Sequence, residues 1–386
     1  MKILHTSDWH VGKTLRGRSR IDEHEAVLAE IAQIAEREQA DLVLVCGDLF
    51  DSAAPAPEAE RAVYRGLLAL ADTGATVAVL AGNHDSDRRL QAVQPLLELG
   101  KVIVAPVPTS DSAVTVTARG GETARLAMLP WVGKHYIVKV EQLMSLDGAE
   151  TQQHYAERVK RIVAKLCEPM SADTVNVLAA HMTIAGADTG EEVRSAHVFD
   201  YAVPGTVFPA SLHYVALGHF HTPQKVAAPS LAWYSGSPLR LGFGSDAEES
   251  SGKGVVIVEA APGAPAVARL EPLTAGRRLR TIRGTMDQLE TMAASQLTGE
   301  DYLRVYVREQ ARAGIAQQVR EWFPNAVDVQ VDPQDEDAAA AAGSTRAGRS
   351  PGELFRDYLT QRQAHDERVV GLFDQILEEM HAADPA

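Results

Sequence analysis

Asp41-Leu42-Val43-Leu44-Val45-Cys46-Gly47-Asp48-Leu49-Phe50-Asp51 is a short apolar run that breaks, through a glycine, into two carboxylates. A run of that length, aliphatic throughout and bounded by a turn signal, reads as a strand buried on both faces. The same grammar recurs along the chain. Ile3–Thr6 runs into Asp8-Trp9-His10, Val77–Ala81 into Gly82-Asn83-His84-Asp85, Val177–Ala180 into His181, and Val215–Leu217 into Gly218-His219-Phe220-His221. Between the early strands, Ile21–Gln39 and Pro57–Asp72 carry apolar residues at helical spacing, with Val27, Leu28, Ile31, Ile34 and Ala35 on one face. Strand–helix alternation predicts an α/β layered fold, and in such sheets ligands bind beyond the strand ends. A single His or Asp after a strand is usually a turn residue. Five such endings in one chain are not.

Further strands are expected at Lys101–Ala105, Ala113–Thr117, Ala124–Leu129, Gly254–Glu259 and Val267–Leu273, with a helix at Thr151–Leu166. The Gly/Pro/Ala-rich stretch Ala260–Ala266 comes near the end of this first domain, taken as residues 1–273. From Arg277 the pattern restarts as a compact α/β module, residues 277–332. Residues 333–349, acidic and then Ala/Gly/Ser-rich, read as a flexible linker. Ser350-Pro351-Gly352-Glu353 then matches a capping box with proline at N1, and Val369, Leu372, Phe373, Ile376, Leu377 and Met380 follow helical spacing. Residues 350–386 are therefore expected to form a helical tail whose apolar stripe needs a surface to cover it.

The residue types at the strand ends suit phosphate chemistry. A phosphodiester is an anion, so its hydrolysis needs charge neutralisation and a nucleophile stronger than water. Two cations about 3.5–4 Å apart supply both. Holding two cations so close requires a bridging carboxylate, for which Asp48 is the natural candidate. Carboxylate, amide and imidazole donors without thiolate suit Mn²⁺ and also accept Fe²⁺ or Zn²⁺.

At 45% hydrophobic and 23% charged, the chain of 386 residues has the composition of a soluble globular protein of two domains. No apolar run is long enough to span a bilayer, and the first residues lack a signal-peptide pattern, so a cytoplasmic location is expected. Cys46 and Cys167 show no disulfide or metal-binding spacing. A net charge of −15 argues against a chain that grips DNA tightly and non-specifically on its own. Local basic clusters offset the deficit: Lys13, Arg16, Arg18 and Arg20, then Arg88 and Arg89, then Arg277, Arg278, Arg280 and Arg283. The first is the candidate DNA contact. Trp9, between two candidate ligands, is open to base stacking or to core packing.

Together, D-x-H, G-D-x-x-D, G-N-H-D, a lone histidine and G-H-x-H resemble the signature of the calcineurin-like metallophosphoesterases. Ser7-Asp8-Trp9-His10-Val11-Gly12 and Tyr234-Ser235-Gly236-Ser237-Pro238-Leu239 narrow the resemblance to the SbcD family of nucleases. The similarity is strong to about residue 245 and looser beyond. It implies a β-sandwich flanked by helices, with the small α/β module as a DNA-capping domain and the tail docked on an SMC-like ATPase. It implies one metal on Asp8, His10 and His221, another on Asn83, His181 and His219, and Asp48 between them. His84 takes the role of transition-state or leaving-group residue, with Asp85 orienting it and Asp51 behind. The implied activity is Mn²⁺-dependent 3′→5′ exonuclease and single-strand or hairpin endonuclease action on DNA ends, by a homodimer within a heterotetramer with the ATPase. Two rivals share these features: a phosphatase or cyclic-nucleotide phosphodiesterase, and a non-catalytic DNA-tethering protein. The extra domain and tail disfavour the first, and the complete ligand set the second.

Overall fold

The computed structural model describes residues 1–109, 113–133, 148–188, 202–244, 252–295 and 299–331, with Leu359 and Phe373 beyond them; for 148–154 this covers the backbone alone. The linker expected at 333–349 and nearly all of the tail expected at 350–386 lie outside the described residues.

The first sheet runs in the order β12-β11-β1-β2-β3-β4. Its strands are β1 (Lys2–Thr6), β2 (Leu42–Cys46), β3 (Thr76–Leu80), β4 (Val102–Ala105), β11 (Gly254–Glu259) and β12 (Val267–Pro272). β1 to β4 are parallel, while β11 pairs antiparallel with β1 and β12 with β11. The second sheet runs β5-β6-β7-β8-β10-β9, from β5 (Ala113–Thr117), β6 (Thr123–Leu129), β7 (Val175–His181), β8 (Tyr214–Gly218), β9 (Gln224–Val226) and β10 (Leu231–Tyr234).

Strand periodicity explains why β2 is apolar at every position. Leu42, Leu44 and Cys46 face the second sheet and pack with Val177, Ala179, Tyr214 and Ala216. Val43 and Val45 face the other way, into α1 (Ile21–Arg37) and α2 (Pro57–Asp72). The second sheet repeats this alternation: Leu178, Ala180, Val215 and Leu217 pack outward against Tyr155, Val159 and Val163 of α4 (Gly148–Leu166). Each inner strand has two apolar faces because each is covered twice, which gives a helix–sheet–sheet–helix stack.

Among the described residues, one α-helix and two strands go beyond the expected set. α3 (Asp87–Leu99) carries the Arg88-Arg89 pair on its first turn, with Ser86 as N-cap. β9 and β10 fill the edge of the second sheet. In the small module, parallel strands β13 (Leu279–Gly284), β14 (Tyr302–Val307) and β15 (Ala326–Val331) are backed by α5 (Met286–Ala294) and α6 (Ile315–Trp322). This module meets the first domain through a separate apolar contact of Leu15, Phe243, Leu279 and Tyr302.

Candidate metal centre

Parallel pairing brings the strand ends level: Thr6 lies beside Val45, Cys46 beside Leu80, and His181 beside Gly218. The next residues of the first sheet supply Asp8, His10, Asp48 and Asn83, and the second sheet supplies His181, His219 and His221. The turns are tight enough to push Asp8, His10, Asp48 and His219 to φ of 53°, 45°, 53° and 110°. Such backbone costs about 1–3 kcal/mol per residue and persists only where the surroundings over-determine it. Here they do. Asp8 N donates to Gly47 O at 2.9 Å, His10 N to Asp48 O at 3.0 Å, and His219 N to an Asp8 carboxylate oxygen at 2.9 Å. The two sheets also touch directly at this end. A Cβ on Gly218 would collide with the Cys46 carbonyl, and one on Gly47, at φ +86°, with the His181 ring.

The donor atoms face one another in a way that suits a shared cation. His181 Nδ1 lies 2.7 Å from the Cys46 carbonyl, so the proton sits on Nδ1 and Nε2 carries a lone pair. That Nε2 points at Asn83 Oδ1, 3.0 Å away, and at Asp48 Oδ2, 3.5 Å away. His219 Nδ1 meets the same Asn83 oxygen at 3.0 Å. On the other side, His10 Nε2 lies 3.1 Å from His221 Nε2 and 3.4 Å from Asp48 Oδ2. Around a cation with ligands at about 2.1 Å, neighbouring donors sit about 3.0–3.4 Å apart, close to the 3.0–3.5 Å seen. Two groupings emerge: Asp8, His10 and His221, and Asp48, His181 and His219, with Asp48 also grouped with His10 and His84. The donor set fits two divalent cations sharing Asp48.

Charge placement agrees with this. Burial first, then the neighbouring Asp48, pushes the Asp8 carboxyl well above the usual carboxylate range. Burial also opposes ionisation of Asp48, but the imidazoles of His181, His10 and His84, where charged, and the His84 amide outweigh it and hold the carboxyl low. Burial lowers His10 and His181, and lowers His219 to about 3, which favours the neutral, metal-ligating imidazole. Two buried carboxylates this close cannot both ionise cheaply without positive charge between them.

The neighbouring residues sort differently from the sequence expectation. His84 is half-buried, its Nδ1 3.0 Å from the Asp51 carbonyl, its ring edge-on to His10 at 4.8 Å and its amide on Asp48 Oδ1. Asp85 does not meet His84 through its carboxylate. That carboxylate instead accepts from the amides of Gly82, Leu49 and Phe50 at 2.8, 3.2 and 3.1 Å, binding the Asn83 turn to the Asp48 turn. Burial and the nearby Asp48 raise Asp85 to about 7 against these three donors. Asp51 stands behind His10, 3.5 Å from Nδ1, and takes Lys13 Nζ at 3.0 Å. The neighbouring His10 imidazole is foremost in holding the Asp51 carboxyl down.

The first basic cluster is a joint as much as a surface. Arg20, expected as a DNA contact, is 3% exposed and spent internally: it donates to both Glu23 carboxylate oxygens and to the Arg240 carbonyl. Arg16 pairs with Asp328 at 2.8 Å and Arg18 donates to the Pro324 carbonyl at 3.1 Å, so both reach the small module while staying at the surface. Trp9 is fully buried, its indole N–H on Thr6, and belongs to the core. Tyr234 is also buried, its hydroxyl donating to Met182 O and accepting from Ile184 N, so it braces the loop after His181. Sequence reasoning passed over Trp131, which is half-exposed and lies over His219 with ring centroids 5.1 Å apart. Its only signal was an aromatic residue just after a strand.

Comparison with known proteins gives this geometry a class. The family model described as calcineurin-like phosphoesterase matches residues 1–223, more than half of the chain, and the chain belongs to that family. A second model, described as type 5 capsule protein repressor C-terminal domain, matches residues 275–363. Among curated relatives, the SbcD component of the SbcCD nuclease of Bacillus subtilis is 35% identical over 72% of this chain and 71% of its own length. The SbcD of Rhodobacter capsulatus is 35% identical over 68% and 67%, and that of Escherichia coli K12 is 31% identical over 63% and 62%. Within the phosphoesterases the chain thus falls in the SbcD family, and it is a metal-dependent nuclease. Among the described residues, no helix is long and apolar enough to cross a membrane.

Proposed function

We propose that the chain is a Mn²⁺-dependent nuclease acting on DNA ends, as a 3′→5′ exonuclease on duplex and an endonuclease on single strands and hairpins. One observation supports this reading: donor atoms on seven side chains from two sheets converge at spacings that shared cations would satisfy. Asp8, His10 and His221 are assigned to one metal, Asn83, His181 and His219 to the other, and Asp48 to both. Bound there, two divalent cations neutralise the phosphodiester and lower the pKa of the attacking water. The chain's own residues do the rest. Asp85 locks the Asn83 and Asp48 turns together, so the two donor groups keep a fixed separation. His84, with Nδ1–H donating to the Asp51 carbonyl, keeps Nε2 free to face the substrate; as an imidazolium, protonated on both nitrogens, it would pass the Nε2 proton to the leaving oxygen and return to the neutral ring. Lys13, Arg16 and Arg18 are assigned to the DNA backbone.

The names of the relatives support a partner of the SbcC type, read here as an SMC-like ATPase docked on residues 350–386, with 277–332 as the DNA-capping domain and 333–349 as linker. A homodimer is supported by an exposed apolar patch. Leu96 and Leu99 of α3 are 68% and 84% exposed, and Leu68 of α2, itself 42% exposed, packs toward Gly100 beside them. The proposed location is the cytoplasm. The test is a nuclease assay on labelled linear and hairpin DNA with Mn²⁺, Mg²⁺ or Zn²⁺, with and without the ATPase and ATP. Cleavage that needs no added metal after chelation, or none on any DNA, would overturn the proposal.

A further inference from the structure

We infer that Lys253 is a positioning residue for His221, and so for the Asp8–His10–His221 half of the metal centre. The inference rests on the metal reading above. Lys253 lies one residue before β11, which is fixed against β1 in the first sheet. His221 belongs to the loop after β8 of the second sheet. The lysine ammonium crosses from one to the other, donating to the His221 carbonyl at 2.8 Å and to Ser237 Oγ at 2.9 Å.

The same carbonyl accepts from Ser237 N at 3.1 Å, and Gly236 at φ +72° packs so closely that a Cβ there would lie 2.7 Å from it. A peptide held by an ammonium, an amide and a close turn has little freedom, and its side chain is delivered in one place. The other end of this loop is tied independently, by His219 N on Asp8. The web continues beneath the same half-site: Ser235 Oγ meets Ser7 Oγ at 2.7 Å, and Ser7 donates to the Asp8 carboxylate. The second half-site is tied otherwise, through His181 and the Cys46 carbonyl. Loss of the lysine should therefore be felt on one side only. An ammonium there also places a positive charge near Asp8 without touching the donor atoms.

The experiment titrates metal-stripped full-length chain with Mn²⁺ in a calorimeter, comparing wild type, Lys253→Met and Ser237→Ala. Wild type is expected to take up two equivalents. Lys253→Met should weaken one of them by about tenfold or more, within the 10–100-fold range typical of partners that orient ligands, and leave the other nearly unchanged. Ser237→Ala should weaken the same equivalent by less. With a small chromogenic phosphodiester, the Mn²⁺ needed for half-maximal rate should rise in parallel, and the rate at saturating Mn²⁺ should fall far less than the rate at limiting Mn²⁺. Two unchanged equivalents in Lys253→Met would overturn the assignment. So would equal weakening of both, with a lower melting temperature of the metal-free chain, because that marks a general structural role. Failure of wild type to bind two equivalents would instead sink the metal reading itself.

Discussion

Replacing Arg20 by methionine separates a joint from a DNA contact. The guanidinium donates to the two Glu23 oxygens at 3.0 and 2.9 Å and lies 5.8 Å from the Tyr302 ring. Removing one partner of a buried ion pair costs about 3–5 kcal/mol. Glu23 keeps the Arg277 amide at 2.9 Å, and methionine refills much of the stem, so the loss should fall near the lower end, about 3 kcal/mol. For a domain of this size that lowers the melting temperature by about 6–12 °C.

Acid gives a second signature. Burial pushes the Glu23 carboxyl up, but Arg20 and the Arg277 amide outweigh it and hold the pKa below its usual 4.5. A carboxylate depressed in the folded state stabilises fully above its unfolded pKa, and that contribution is lost as pH falls through the folded value. Wild type should lose this contribution as pH falls below 4.5, and Arg20→Met should show a flatter acid limb over the same window. Melting curves across the acid range, with DNA affinity measured on the same samples, check both effects. A variant with unchanged melting and weakened DNA binding would refute the reasoning and return Arg20 to the DNA.

Asp48→Ala removes the shared carboxylate and should abolish cleavage while metal content falls toward one equivalent or none; two tightly bound ions by elemental analysis would contradict the bridge. His84→Gln should keep both metals and DNA affinity but lose turnover by about 10²–10⁴-fold, and loss of metal with activity would make His84 a ligand. Reversing Arg16 and Arg18 to glutamate should weaken DNA binding and flatten its salt dependence, while hydrolysis of a small phosphodiester barely changes. Truncation after Asp335 should leave Mn²⁺-dependent single-strand cleavage intact and abolish co-purification with the ATPase; an unchanged affinity would show that docking lies elsewhere.

The strand ends were legible because chemistry broke the pattern there: Asp8, Asp48, Asn83, His181 and His219 each interrupt an apolar run that secondary structure alone would have continued or ended on a bland turn. The order of the second sheet was not legible. β9 has three residues and β10 four, too few to show a period, and Pro223 and Pro229 around them read as loop. α3 is masked in the sequence by Pro95 inside it and by Arg88-Arg89, which read as a basic cluster, although Ser86 is a readable N-cap. Asp85 and Arg20 make contacts that the sequence does not suggest, for a shared reason. A carboxylate beside a histidine and an arginine in a basic run have obvious partners in sequence, whereas their contacts in space are backbone amides and a glutamate on α1.

With the proposed ligands drawn from both sheets, a metal bound there would act as a fastener as well as a reaction site. Without cations, the seam at this end keeps its apolar packing and polar contacts such as His181 on the Cys46 carbonyl and His219 on Asp8. Binding that favours the folded state adds about 2.7 kcal/mol when free ligand stands a hundredfold above its dissociation constant. Metal scarcity should then shorten the lifetime of the chain in the presence of proteases, so that supply of the ion governs abundance as well as rate.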